Sequence, residues 1–263
     1  MDLYDNYQTT IEAELKIINP LEWTFKSNDQ YRGILEHSTE GQGNQYLVEI
    51  KKKFSQLYTD YKELLIDLCN KNDLYGQTIK ANISDFAFCS PSNLRYIFHS
   101  FLILDYIKEN NLDDVDFIEI GGGYGGLCFF VKNLASLFGI KTRSYTIFDL
   151  QEAAQLQEKY LEALGVQDFY CFQFNNFKEK ELNRLKTDSF LISNYAFSEI
   201  HESIQAQYRE HIINPYTSWG FLTWNAIDVY DFVDNSKIKK EKEYPQTDGT
   251  FGKNYYVTFS PRS

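Results

Sequence analysis

The chain contains no apolar run approaching the roughly 18 residues that a membrane-crossing helix needs. Its start, Met1-Asp2-Leu3-Tyr4-Asp5, places no basic segment ahead of an apolar one. The expectation is a soluble, unexported, cytoplasmic protein without a membrane span. Basic side chains are in deficit: 26 Lys and Arg stand against 37 Asp and Glu, and the net charge of −11 repels phosphate backbones and argues against a nucleic-acid partner. Four cysteines, Cys69, Cys89, Cys128 and Cys171, are far apart and show no paired spacing, so neither a disulfide framework nor a zinc site is indicated; Asp228, Glu199 and a histidine could hold a metal, but no ligand spacing requires one. With 43% hydrophobic and 24% charged residues, the composition fits neither wholesale disorder nor a fibrous repeat.

What the chain has in quantity is aromatic. Twenty-one Phe and 20 Tyr in 263 residues supply rings for a core, and each tyrosine adds a hydroxyl that can meet water or a polyhydroxylated ligand. The length allows one large domain or two small ones.

The pattern changes near residue 112, which predicts a helical N-terminal region over 1–111 and a second region over 112–263. In the first, Tyr46, Ile50, Phe54, Tyr58, Tyr61, Leu65 and Leu68 recur every three or four positions and predict one long amphipathic helix over about 45–70. A second helix over 91–109 has a clean start: Ser90 can cap it, and Pro91 occupies the first helical position, where its missing N–H is harmless. From Val115 onward, short apolar runs alternate with helical stretches, the pattern of parallel strands joined by crossover helices. Strands are predicted at 116–120, 144–148, 169–174, 189–193 and 220–224. Helices are predicted at 124–138, 151–164, 178–186 and 198–213. The fold class is therefore α/β, a doubly wound, mostly parallel sheet, and ligands of such sheets bind at the carboxyl ends of the strands. The segment 232–253, with Lys237, Lys239, Lys240 and Lys242, reads as a polar loop, and 255–259 as a last strand.

After the first strand comes Glu119-Ile120-Gly121-Gly122-Gly123-Tyr124-Gly125-Gly126. Glycines allow a tight turn and a close backbone approach, and the helix start that follows offers unpaired N–H groups, so this is a nucleotide or cofactor loop. Gly121, Gly123 and Gly126 also meet the dinucleotide spacing, so the glycines alone do not choose a cofactor. Asp149, 28 positions beyond Gly121 at the end of the second strand, can accept both hydroxyls of a ribose, or it can cap the helix over 151–164. Leu150 adjoins it. Asn175 and Asn176 follow the third strand, where an amide can read an adenine edge. The fourth strand ends in Ser193-Asn194-Tyr195-Ala196-Phe197-Ser198-Glu199-Ile200.

The acidic residue two places before the first glycine looks like motif I of Rossmann-like, S-adenosylmethionine-dependent class I methyltransferases. Taken with Tyr145-Thr146-Ile147-Phe148-Asp149-Leu150, Ser90-Pro91-Ser92-Asn93-Leu94-Arg95-Tyr96 and the Asn194 to Glu199 segment, the chain resembles, over about 80–227, the sugar O-methyltransferase family of bacterial polysaccharide gene clusters. The resemblance implies S-adenosylmethionine as donor and a sugar hydroxyl as acceptor, on a nucleotide-linked sugar or a surface glycan precursor, as in capsule biosynthesis. It nominates Glu119, Gly121, Gly122, Gly123, Tyr124, Gly125, Asp149, Leu150, Asn175, Asn176 and Asn194 for the cofactor.

Methyl transfer to oxygen is an in-line displacement that needs the alcohol proton removed. Candidate bases are Glu199, then His201, then Asp228. Glu199 also reads as a first-turn carboxylate behind a Ser198 cap, and His201 as a half-buried histidine beside the stripe of Ile200, Ile204, Tyr208 and Ile212. Arg95, Tyr195, Ser198 and Asn225 are candidates for the acceptor, Arg95 alternatively for the cofactor carboxylate or a surface ion pair. A nicotinamide-dependent sugar oxidoreductase or epimerase would share the glycine loop, yet the Tyr-x-x-x-Lys pair it needs occurs only upstream, at Tyr58 and Lys62. A glycan-binding subunit that has lost turnover is a third reading. The number of chains that assemble, a homo-oligomer included, stays open.

Overall fold

The computed structural model describes residues 3–174, 179–246 and 254–262. The chain divides into two compact units: one is Met1–Asp113, Gly123–Ile140 and Gln155–Gln167, the other Asp114–Gly122, Lys141–Ala154 and Asp168–Ser263. The chain thus leaves the first unit two residues beyond the expected boundary and returns to it twice.

The first unit is helical and carries one small hairpin, β1 (Ala81–Ile83) with β2 (Ala87–Cys89). The helix Pro91–Glu109 forms as its sequence predicts: Pro91 stands at its start and the Ser90 hydroxyl accepts the Ser92 N–H. The long helix expected over 45–70 is instead two, Glu40–Lys53 and Ser55–Asn72. Phe54 takes a non-helical conformation (φ −126°, ψ 39°) between them, and its ring packs edge-on against Phe101 at 5.1 Å. The break turns an aromatic residue into the core while the 3.6-residue pattern continues on either side, so periodicity does not register it. Thr39 and Gln42 form a reciprocal capping box at the first of these helices.

The second unit is built on a seven-stranded sheet. Its strands are β3 (Asp114–Ile120), β4 (Lys141–Asp149), β5 (Phe169–Gln173), β6 (Ser189–Asn194), β7 (Thr217–Trp224), β8 (Ser236–Lys242) and β9 (Tyr255–Pro261), in the order β5-β4-β3-β6-β7-β9-β8. The five strands β3 to β7 are mutually parallel, and β9 and β8 close the edge antiparallel. The fold is therefore the doubly wound, mostly parallel Rossmann-like α/β class. The chain runs outward from β3 to β5 in one direction and from β6 to β7 in the other, so the order reverses between β3 and β6, the topological switch at which such sheets bind ligands.

The side-chain period of two decides the core. Ile118 and Ile120 of β3 join Phe148, Leu191, Leu222 and Trp224 on one face, packed with Phe197, Tyr208, Ile212 and Phe232. Phe117 and Glu119 alternate onto the other face, with Tyr145 beside them.

Two expectations for this unit are corrected. The lysine-rich segment is an edge strand, β8: Ile238 packs on the core cluster while Lys237, Lys239, Lys240 and Lys242 stay in water, as edge strands avoid further pairing by carrying charge. The helix expected over 198–213 is broken into Ala196–Glu199, Glu202–Tyr208 and a wider π-type turn, Arg209–Ile213, because Ile200 is extended and His201 starts the second piece. No helix among the described residues is long and apolar enough to cross a membrane.

Candidate active site

The carboxyl ends of β3, β4, β6 and β7 carry most of the nominated residues. At β3, Glu119 is fully buried, and the Tyr145 hydroxyl donates to its Oε2 at 2.9 Å. Burial raises the Glu119 pKa to about 8; the Tyr145 hydrogen bond opposes that shift and Asp149 adds to it. Gly121 follows with φ +74°, a conformation open to glycine, and a Cβ there would stand 2.1 Å from the Ala196 Cβ, so this glycine is what lets the segment after β6 close on the end of β3. Ser193, buried on β6, ties the same place: its hydroxyl donates to the Ile120 carbonyl at 2.9 Å and accepts the Phe197 N–H at 3.0 Å.

The glycine turn itself keeps Gly121, Gly122 and Gly123 half-exposed. Gly123 and Gly125 have φ +60° and +94°, and the helix Gly126–Leu134 starts at Gly125 without a side-chain cap, so its first N–H groups are left to another acceptor. Within the first unit, Leu35 approaches the Cβ direction of Gly123 to 3.0 Å and Leu161 that of Gly125 to 3.0 Å, so these glycines make room for protein atoms.

Tyr124, nominated for the cofactor, is corrected. Its side chain is fully buried, its hydroxyl donates to Glu36 Oε1 at 2.6 Å and accepts from Asn72 Nδ2 at 3.2 Å, and Lys26 Nζ lies 4.4 Å from the ring centroid. Only its backbone can serve the turn.

At the end of β4, Asp149 is half-buried and accepts the Leu150 N–H at 2.8 Å, while Leu150 is exposed. Its carboxylate thus meets the residue just before the helix Gln151–Ala163 and still faces partly to water. Asn175 and Asn176 lie outside the described residues.

The ends of β6 and β7 interlock. Asn194 Oδ1 accepts from the Thr223 hydroxyl, and the Tyr195 N–H donates to the Thr223 carbonyl at 3.0 Å. Tyr195 (φ +65°) and Ala226 (φ +61°) both adopt the left-handed conformation that non-glycine residues avoid, one just after each strand; such strain collects where a site dictates the backbone. The Ser198 hydroxyl donates to Asn225 Oδ1 at 2.7 Å and accepts the Asn225 N–H at 3.1 Å, and Asn225 Nδ2 donates to Glu199 Oε1. Glu199 as a whole is open to solvent, yet protein crowds its carboxyl and raises its pKa, with the Asn225 hydrogen bond opposing. Such a carboxylate can take a proton from an alcohol more readily than an ordinary one.

Ser198 is therefore an interlocking residue and does not cap a long helix. His201 is corrected as well: it is exposed, and its Nδ1 caps the helix Glu202–Tyr208 by accepting the Ser203 N–H. The stripe itself is present from Ile200: Ile200 and Ile204 pack against the cluster that holds Tyr208 and Ile212. Asp228 is exposed in the turn after β7. In the first unit Arg95 is buried; its Nη2 donates to the Leu35 carbonyl at 2.9 Å and Nη1 lies 3.5 Å from His37 Nε2, so it is no surface ion pair. Lys62 donates to the Asp85 carbonyl at 2.7 Å, in the turn between β1 and β2, and Tyr58 lies with it in the helix Ser55–Asn72, its ring 6.4 Å from that of Phe86.

Residues that sequence reasoning missed are Thr223, Glu243 and Asn254. The Tyr195 hydroxyl donates to Glu243, a partner 48 positions away, and no local pattern announces such a pair. A groove of about 640 Å³ lined by Asp116, Arg143, Tyr170 and Arg184 lies at the amino ends of β3 to β5, the end of the sheet opposite to these residues. Its arginines are engaged internally, Arg143 with Asp116 at 2.7 Å and Arg184 over Tyr170 at 4.7 Å. No group of three or more potential metal ligands occurs among the described residues.

No family model and no curated protein matches the chain. Solved structures do match in part. An rRNA methylase from Streptococcus thermophilus is 12% identical over 61% of this chain and 94% of its own, with a TM-score of 0.41. A SAM-dependent methyltransferase from Aquifex aeolicus is 14% identical over 59% and 86%, with a TM-score of 0.37. PKMT2 from Rickettsia typhi in complex with AdoHcy is 14% identical over 43% and 21%, with a TM-score of 0.33.

Proposed function

We propose that the chain is an S-adenosylmethionine-dependent O-methyltransferase that acts on a sugar hydroxyl, carried on a nucleotide-linked sugar or a surface glycan precursor, in the cytoplasm. The observation that carries the reading is the Glu119-x-Gly-x-Gly turn at the carboxyl end of β3, at the point where the strand order reverses, with Asp149 at the end of the neighbouring β4. The donor set suits such a cofactor. Asp149 offers a partly solvated carboxylate for ribose hydroxyls, the half-exposed glycines leave backbone open to approach, the uncapped helix start supplies N–H groups, and Glu119 supplies a buried acid. Leu150 and Asn194 adjoin it, and Asn175 and Asn176 are the remaining nominees. When bound, the cofactor supplies an electrophilic methyl group on a sulfonium.

The chain's own task is to orient the acceptor oxygen and remove its proton. Glu199 is the base in this reading: Asn225 fixes its Oε1, Ser198 fixes Asn225, and crowding lifts its proton affinity. His201 and Asp228 are the lesser candidates, since both are exposed and His201 is occupied with its helix. Tyr195, Ser198 and Asn225 line the acceptor side.

The test is transfer of labelled methyl from S-adenosylmethionine to a panel of free and nucleoside-diphosphate-linked sugars. Incorporation that alkali does not remove, as an ether resists it, supports the reading. Incorporation only into amines or carboxyls contradicts it.

A further inference from the structure

The ends of β6 and β7 are joined by polar residues of the C-terminal hairpin that the reading above does not use. The Tyr195 hydroxyl donates to Glu243 Oε1, and Glu243 is 1% exposed. The Glu243 N–H donates to the Asn254 carbonyl at 3.0 Å, which carries the β8–β9 ladder one rung beyond its last pair, Lys242 with Tyr255. Gln246 Nε2 steadies the same turn by donating to the carbonyls of Glu243 and Asn254. On its other side β9 pairs Tyr255 with Trp224, so Asn254 stands at the level of Asn225, the residue that holds Glu199.

Asn254 is fully buried, yet neither its Nδ2 nor its Oδ1 has a hydrogen-bond partner among the described residues. A buried amide with both ends unmet costs stability, and native structures keep such groups where something else will meet them. One donor and one acceptor side by side match a group that both accepts and donates, as an alcohol does. The buried carboxyl of Glu243 next to it disfavours a phosphate or carboxylate and favours a hydroxyl that donates.

We propose that Tyr195, Glu243 and Asn254 form an acceptor subsite for an uncharged, polyhydroxylated ring. In it the Asn254 amide pairs with one hydroxyl in both directions, Glu243 accepts from a second, and the Tyr195 ring packs on the sugar face. This rests on the methyl-transfer reading and adds to it the chemistry at the point of attack: any phosphate of the acceptor lies elsewhere on the molecule.

The experiment is saturation-transfer NMR on the full chain. The probes are the methyl glycosides of glucose, galactose and rhamnose, with glucose 6-phosphate as the anionic counterpart, each with and without S-adenosylhomocysteine. At least one uncharged glycoside should bind in preference to the phosphate. Asn254→Leu, which keeps the volume and removes both polar atoms, should weaken that glycoside about tenfold or more. It should leave S-adenosylhomocysteine affinity within about twofold and raise Tm, where the loss of a merely structural amide would lower it. Tyr195→Leu, which removes the ring that packs on the sugar face, should weaken the same glycoside and covers the case in which the first variant does not fold. Binding of the glycoside by both variants as by the parent protein, or preference for glucose 6-phosphate, overturns the subsite. Glycoside binding without any S-adenosylhomocysteine binding would sink the methyl-transfer reading and leave the subsite standing.

Discussion

Glu199 and Gly121 show how single residues shape the candidate site. Glu199→Gln keeps the Asn225 contact in shape but removes the proposed base, so under the methyl-transfer reading kcat should fall about 10²- to 10⁴-fold, while S-adenosylhomocysteine affinity measured by calorimetry stays unchanged. Because crowding raises the Glu199 pKa, the base is lost as pH falls through a value above the ordinary carboxylate range, and the acid limb of the rate profile should sit correspondingly high. An unchanged rate in the variant would remove Glu199 from that role. Gly121→Ala combines a disfavoured φ of +74° with a Cβ only 2.1 Å from that of Ala196, so it should cost about 2–4 kcal/mol. Urea unfolding checks it, and a variant as stable as the parent would mean that the Ala196 segment is free to move away.

At the level of elements, the capping of the helix Pro91–Glu109 does two jobs. The Ser90 hydroxyl accepts the Ser92 N–H at 3.2 Å and donates to the buried Glu36 at 2.9 Å. Ser90→Ala should therefore cost more than a surface cap, about 2–3 kcal/mol, read as a lower urea midpoint at constant slope. The elements that sequence reading recovers are those whose cause is local. The parallel strands are apolar runs of the right length, Ser90-Pro91 is a start signal within two residues, and the glycine turn with Asp149 follows strand ends directly. What it misses has distant causes. Phe54 breaks a helix to reach Phe101, 47 positions on, and β8 is a strand because β9 pairs with it, although its own residues are those of a loop. Tyr124 is drawn inward by Glu36 and Lys26, whereas its neighbours in sequence mark it as a cofactor contact. Glu243 and Asn254 reach the carboxyl ends of the strands through ladder register, which no single segment encodes.

For the whole molecule, two buried ionisable groups shape stability against pH in opposite directions. Glu119 titrates near 8 when folded against 4.5 as a model side chain, so the folded state holds the extra proton between these values and stability falls as pH rises through them, by roughly 5 kcal/mol in all. Lys26, buried among Phe25, Tyr124 and Tyr160, is lowered from 10.5 to about 8, chiefly by burial against the pull of Glu36 and Asp73. Between 8 and 10.5 the unfolded state binds the extra proton, so stability rises with pH there, by roughly 3 kcal/mol. Together these two groups give a stability minimum near pH 8, which a series of thermal melts would reveal. Glu119→Gln should remove the decline on its acid side and leave the rise on its alkaline side. The function of the molecule turns on which ligand the glycine turn accepts, and that is settled by titrating the purified chain in a calorimeter with S-adenosylhomocysteine and, separately, with NAD. The methyl-transfer reading predicts saturable binding of S-adenosylhomocysteine, lost in Gly121→Ala, and no binding of NAD. Saturable binding of NAD with none of S-adenosylhomocysteine would contradict it.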